Sequence, residues 1–232
     1  MQFYYLLSLG CAKNLVDSER YAAIMRSYEL YPTEDLSYVS FVLVNSCAFL
    51  EDSLAELDDA LSEIIALTNR KKVKIVVTGC VMNRALEEFK DLFPEVKGWI
   101  PLKDFEAFEQ YLLDYILPKR TKKRQEPHDY KERCPIQEGQ HVYLRIADGC
   151  ENHCSYCLIP SIRGPLQSVP IEELVAEAKT LTHRGKELVL IAQDSCLYGM
   201  DIYKRQALPE LIEALHADRK STRLNSSHRI RS

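Results

Sequence analysis

The segment Gly149-Cys150-Glu151-Asn152-His153-Cys154-Ser155-Tyr156-Cys157 puts three cysteines on one short loop at a Cys-x3-Cys-x2-Cys spacing, directly after an apolar run. Full protein ligation of a four-iron four-sulfur cube takes four thiolates, so three can hold three irons and leave the fourth open. An open iron can chelate the amino and carboxylate groups of S-adenosylmethionine, and an electron passed through the cluster can then break the sulfonium bond to give an adenosyl radical. The alternatives are a zinc site and three unrelated core cysteines. Zinc modules usually pair one Cys-x2-Cys knuckle with a distant second pair, a pattern this loop fits poorly. His153 could ligate zinc but reads as a solvent-facing spacer, and Tyr156 taken alone reads as a packing aromatic.

Three further cysteines are far apart in the chain yet share a setting, each following a strand-like run: Leu9-Gly10-Cys11, Asn45-Ser46-Cys47 and Thr78-Gly79-Cys80. In an open parallel sheet, loops leaving the carboxyl ends of strands converge on one edge, where ligands bind. Singly, each of these residues would be an ordinary small core side chain. Three at equivalent positions point instead to a shared metal site.

Bringing them together requires a parallel sheet. Strand patterns fall at 3–9, 41–44 and 73–77, and helical patterns at 15–28, 53–67, 84–93 and 105–117. This β-α-β-α-β order predicts an α/β fold whose parallel sheet is covered by helices. From 118 to 139 the apolar periodicity lapses, and Lys119-Arg120-Thr121-Lys122-Lys123-Arg124 reads as a solvated linker rather than a nucleic-acid patch. A second α/β pattern follows, with strands at 141–147 and 187–192 and helices at 171–183 and 208–217, which makes two βα units. The expected organisation is therefore a first domain over 1–117, a linker over 118–139 and the beginning of a second domain over 140–218. Residues 219–232 have almost no apolar content, and are expected to be disordered and non-native, similar to a translated adapter scar.

With 46% of its 232 residues hydrophobic and 28% charged, the chain can bury one large core or two modest ones. No stretch approaches the roughly 18 apolar residues of a membrane span, and the start lacks the basic region of a signal peptide. The expected compartment is the cytoplasm, where disulfides are disfavoured and the eight cysteines read as metal ligands or thiols. Net charge is -4, and the acidic balance deepens without the basic tail. Such a body is a poor match for a polyanion, which argues against direct nucleic-acid binding.

The residues carry a specific resemblance. Ser8-Leu9-Gly10-Cys11-Ala12-Lys13-Asn14-Leu15-Val16-Asp17-Ser18-Glu19, then Asn45-Ser46-Cys47, Gly79-Cys80, the Cys150 loop, Ile159-Pro160-Ser161-Ile162-Arg163-Gly164, Ile191-Ala192-Gln193-Asp194-Ser195 and Tyr198-Gly199 follow one another as in the radical SAM methylthiotransferase family. The likeness spans nearly all of residues 1–217. Within it, Lys13-Asn14-Leu15-Val16-Asp17 and Pro160-Ser161-Ile162-Arg163-Gly164 are similar to the RimO branch, and the tRNA-modifying MiaB branch typically differs at both. Departures are Ala12 for the usual proline, Asn83 where glutamine is common and Cys196 where a hydroxyl residue is usual; none removes a cluster ligand. Cys134 and Cys196 match no ligand position and read as structural or incidental.

The resemblance implies an N-terminal methylthiotransferase domain followed by a partial (βα) radical SAM barrel. It also implies two 4Fe-4S clusters, one on Cys150, Cys154 and Cys157 that cleaves S-adenosylmethionine, with Tyr156 beside the adenine, and one on Cys11, Cys47 and Cys80 that carries sulfur. The implied reaction is methylthio transfer to the β-carbon of an aspartate in small-subunit ribosomal protein S-twelve. Implied partners are that protein or the small ribosomal subunit and an electron donor such as flavodoxin or ferredoxin, with no membrane. Family members continue through a six-unit barrel into a small TRAM domain, so this chain is expected to be a fragment, inactive as it stands. The alternatives are methylthio transfer to a tRNA adenosine and a non-catalytic zinc or redox scaffold.

Overall fold

The buried run of the second strand pattern, at 41–44, lies at the centre of a five-stranded sheet. In a computed structural model, which describes residues 2–68, 73–118, 121, 129–137, 139–182 and 187–218, β1 (Gln2–Ser8), β2 (Leu30–Pro32), β3 (Val39–Ser46), β4 (Lys74–Gly79) and β5 (Gly98–Trp99) pair in the order β2-β1-β3-β4-β5. Every pairing is parallel. Successive strand side chains point to opposite faces. Val42 and Val44 accordingly join one core with Leu57, Leu61 and Ile64 of α2 (Glu51–Thr68) and Phe89 of α3 (Leu86–Leu92). Phe41 and Leu43 join the other with Ile24 and Met25 of α1 (Ala12–Ser27) and Phe108 of α4 (Phe105–Tyr111). Burial on both faces is why β3 is apolar from Phe41 to Val44 rather than alternating.

The predicted helix over 105–117 is interrupted. After α4 the chain winds through a π-helical turn, Leu112–Ile116, closed by Leu117 N donating to Leu112 O at 2.8 Å. Two strands of this sheet escape the sequence patterns, β2 and β5. Both are edge strands of two or three residues, too short to show a period, and β2 ends on Pro32, which an edge tolerates because one side of its ladder is unpaired.

The chain divides into two compact units, residues up to 139 together with 149–165, and residues 140–148 together with those from 166. The first unit thus includes the Cys150 loop and the short helix α5 (Ile159–Arg163). It also includes residues 129–137 of the expected linker. Tyr130 Oη donates to Glu109 Oε2 at 2.7 Å, Arg133 Nε donates to Glu19 Oε2 at 2.8 Å, and Cys134 N donates to Glu19 O at 2.9 Å. The basic run at 119–124, apart from Thr121, and the tail at 219–232 lie outside the described residues.

In the second unit, β6 (His141–Arg145) pairs in parallel with β9 (Glu187–Ile191), and β7 (Ala147–Asp148) pairs antiparallel with β8 (Gln167–Ser168). The predicted strand over 141–147 breaks at Ile146, where the ladder changes partners: Ile146 N donates to Ile191 O at 3.0 Å while its carbonyl accepts from Val169 N at 2.9 Å. Leu174 of α6 (Ile171–Thr182), Tyr198 between β9 and α7 (Met200–Tyr203), and Leu211 of α8 (Leu208–Asp218) close this core against Leu144. Among the described residues, no helix is long and apolar enough to cross a membrane.

The Arg133–Glu19 pair is shielded, with side chains 3% and 9% exposed. Removing the guanidinium strands a carboxylate away from water. Arg133→Ala is expected to lower the unfolding free energy by about 3–5 kcal/mol, read by urea titration, whereas Leu67→Ala at an exposed position is expected to change it by less than about 1 kcal/mol.

Candidate functional site

β1, β3 and β4 are neighbours in register, with Ser8 opposite Asn45, Asn45 opposite Thr78 and Ser46 opposite Gly79. Their carboxyl ends therefore finish side by side, and each is followed within three residues by a cysteine. Cys11 is exposed and caps the start of α1, its carbonyl accepting from Leu15 N at 3.2 Å. Cys47 and Cys80 are buried, Cys47 just after β3 and Cys80 opening a 3-10 turn, Cys80–Asn83. Gly10, at φ +87°, lies so close to this edge that a Cβ there would come within 2.5 Å of the Cys47 Cβ and 2.8 Å of its Sγ. Gly79, at φ +97°, passes the backbone of Ser46 so tightly that a Cβ would meet its carbonyl oxygen at 2.3 Å. Both positions need glycine for conformation and for space. Burial pushes the Cys80 thiol up; Arg163 pulls it back, and the nearby Cys47 and Cys11 push the same way as burial. Cys80 thus lies within electrostatic reach of the other two.

A network of amides ties the strand ends together. Asn14, fully buried in the first turn of α1, donates from Nδ2 to Leu9 O at 2.9 Å and to Ser46 O at 2.8 Å. Its Oδ1 accepts from Cys80 Sγ at 3.8 Å and from Arg163 Nη2. Asn45 Nδ2 donates to Asn14 O at 2.8 Å and to Ser18 Oγ at 2.9 Å. Ser46 Oγ donates to Thr78 O at 2.7 Å and accepts from Val81 N at 3.2 Å. Sequence reading missed Asn14, Asn45 and Arg163 as members of the site, although all three lie in the segments that carried the resemblance. The available signal was polar side chains next to buried apolar runs beside the cysteines.

The other three cysteines lie on the irregular segment before α5. Cys150 and Cys157 are half-buried, and Cys154 is exposed. The loop is held locally, Cys150 N donating to Gly164 O at 3.1 Å and Cys157 N to Cys154 O at 2.9 Å. His153 takes a positive φ of 47°, and Tyr156 is 86% exposed. Beyond the loop, Ile162 is buried in the α2-side core and its carbonyl accepts from Asn83 Nδ2 at 2.7 Å. Cys134 is half-buried against the α1-side core, and Cys196 is exposed in the 3-10 turn Ser195–Leu197.

All eight cysteines are free thiols. No three His, Cys, Asp or Glu side chains among the described residues gather as they would around a single ion. A cube instead takes each cysteine on a different iron. Both sets fit that demand in donor type and number, and the buried Arg163 beside Cys80 supplies a cation where thiolates would concentrate negative charge.

Comparison with known proteins agrees with this layout. Residues 3–101 match the uncharacterized protein family UPF0004, and residues 144–229 match the radical SAM superfamily. The chain is 36% identical over 219 residues to the ribosomal protein uS12 methylthiotransferase RimO of Lachnoclostridium phytofermentans, an alignment covering 92% of this chain and 50% of that protein. It is 37% identical over 221 residues to the RimO of Clostridium tetani, covering 91% and 49%. To the RimO of Chlorobaculum parvum it is 38% identical over 212 residues, covering 89% and 46%. The chain spans about half the length of the curated relatives it matches.

Accessibility and burial separate the thiols of the metal-free protein. With iodoacetamide near neutral pH, Cys11 is expected to be alkylated at least about tenfold faster than Cys80, since the thiolate is the nucleophile and burial disfavours it at Cys80. Raising the pH should narrow the gap. Mass spectrometry of the tryptic peptides reads both rates.

Proposed function

We propose that the chain is a RimO-like radical SAM methylthiotransferase, serving methylthio transfer to the β-carbon of an aspartate in small-subunit ribosomal protein S-twelve. The observation that carries this reading is the presence in one unit of two separate sets of three free cysteines, one at three adjacent strand ends and one on a single loop. Cys150, Cys154 and Cys157 would hold one 4Fe-4S cluster with an iron left open for S-adenosylmethionine, and Cys11, Cys47 and Cys80 a second. When bound, these groups supply the hydrogen abstraction, the sulfur and the methyl group that the reaction needs.

The protein's own contribution is placement. The glycine and asparagine network holds Cys11, Cys47 and Cys80 at one edge, and the Cys150–Gly164 backbone bond closes the loop that carries the other set. Tyr156, exposed on that loop, is assigned to the adenine of S-adenosylmethionine, where a flat apolar ring can stack. A one-electron donor such as flavodoxin or ferredoxin would complete the system, in the cytoplasm with the ribosomal substrate. The acidic body disfavours a direct nucleic-acid partner.

Anaerobic reconstitution is expected to give about eight irons per chain, and about four after Cys150, Cys154 and Cys157 are replaced by alanine. Deoxyadenosine release from S-adenosylmethionine should disappear in that variant and persist when Cys11, Cys47 and Cys80 are replaced instead. Stoichiometric zinc without iron uptake would establish the scaffold reading. With a full-length protein that contains this chain, a methylthio mass gain on tRNA adenosine rather than on the S-twelve aspartate would establish the tRNA reading.

A further inference from the structure

Arg163 is placed where a buried cation needs a reason. Its side chain and that of Asp17 are each 1% exposed, with Nη1 and Oδ2 3.6 Å apart. Nη2 of the same guanidinium donates to Asn14 Oδ1 and lies 3.6 Å from Cys80 Sγ. Burying an ion pair costs several kcal/mol per ion before attraction is counted, so apolar residues of similar volume often serve stability as well or better. A guanidinium aimed at a cysteine sulfur does something an apolar group cannot.

The arginine is also held in place. It ends α5, whose Ile162 is buried in the α2-side core and whose Ile162 carbonyl is fixed by Asn83 Nδ2 at 2.7 Å. Asn14 Oδ1 accepts from Arg163 and, in the metal-free protein, from the Cys80 thiol, so the guanidinium is held beside the sulfur. Asp17 lies one helical turn after Asn14 and answers the guanidinium from its Nη1 side.

We propose that Arg163 is a positioning residue that donates a hydrogen bond to the Cys80 thiolate and, balanced by Asp17, sets the reduction potential of the cluster held by Cys11, Cys47 and Cys80. Reduction adds negative charge to a cluster, and hydrogen bonds to its sulfurs together with nearby positive charge favour the reduced state. Arg163 therefore raises the potential and Asp17 lowers it. Arg163 is also six residues beyond Cys157, so the loop that carries one set of cysteines supplies the cation that tunes the other.

This inference rests on the reading that Cys11, Cys47 and Cys80 hold a cluster, and the experiment separates the two. The parent is the full chain with Cys150, Cys154 and Cys157 replaced by alanine, reconstituted anaerobically and titrated with reductant under electron paramagnetic resonance. It is expected to hold about four irons. Arg163→Gln is expected to lower the midpoint potential and shift the g-values of the reduced cluster, Arg163→Lys to recover most of the potential, and Asp17→Asn to raise it. Equal midpoints and g-values in the parent, Arg163→Gln and Asp17→Asn would overturn the tuning role while leaving the cluster reading intact. Should Arg163→Gln fail to fold, Asp17→Asn alone decides: a raised potential supports the proposal, and an unchanged or lowered one overturns it. A parent without iron overturns the cluster reading, and with it this inference.

Discussion

The carboxyl edge of the sheet depends on one side chain, Asn14, whose two amide hydrogens bind the main-chain carbonyls of Leu9 and Ser46. Those carbonyls belong to the chain leaving β1 and to the last residue of β3, so the amide fixes the spacing of two strand ends. A buried carbonyl left without a donor costs about 1–3 kcal/mol, and no water reaches a position that is fully buried. With the ends fixed, the residues after them have little freedom. Gly10 is pressed against Cys47 and Gly79 against Ser46, and the cysteines after those glycines are carried to neighbouring points. The other polar atom of the Asn14 side chain, Oδ1, faces Cys80 and Arg163, so the same residue that closes the sheet also orders the site.

Polar burial recurs wherever segments distant in sequence are joined in the first unit. Glu109 is buried and accepts from Tyr28 Oη at 2.6 Å and Tyr130 Oη at 2.7 Å, joining α4 to the end of α1 and to the segment at 129–137. Glu19 on α1 takes Arg133 from the same segment. Partners that must all be present make such joints directional where apolar contacts are not. They give the 129–137 segment a defined seat on α1 and α4 without an apolar run of its own.

Much of the fold was legible because its governing pattern is local. The residues at 41–44, and those at 75–77 within the run at 73–77, are apolar without interruption, as strands covered on both faces must be, and they became β3 and β4. The helical period at 53–67 became α2 with Leu57, Leu61 and Ile64 inward. β2 and β5 were not legible, since two or three residues at an edge carry no period and gain their structure from the neighbour they pair with. Cys11, Cys47 and Cys80 could be singled out because each follows a strand, a predictable place, and Cys150, Cys154 and Cys157 by their close spacing on one loop. Asn14 and Arg163 could not be given roles that way. They are 149 positions apart, and no pattern in either segment announces the partner.

The two sets of cysteines also differ in how their order arises. Cys11, Cys47 and Cys80 follow three strands paired side by side, and two of the three cysteines are buried. Cys150, Cys154 and Cys157 lie on one irregular loop with few backbone bonds, and Cys154 and Tyr156 face solvent. A preformed donor set loses little conformational entropy on binding, whereas a loop must be ordered by the ligand it takes. That division would suit the roles proposed for each. A cluster held at three paired strand ends would gain from rigid surroundings that fix its charge environment. One that must admit S-adenosylmethionine at an open iron needs an accessible face and a loop able to close over the cofactor once it has arrived. Arg163 bridges these regimes, since it leaves the exposed loop through α5 and ends buried at the rigid edge. A five-residue helix thus connects the Cys150 loop to the surroundings of Cys80.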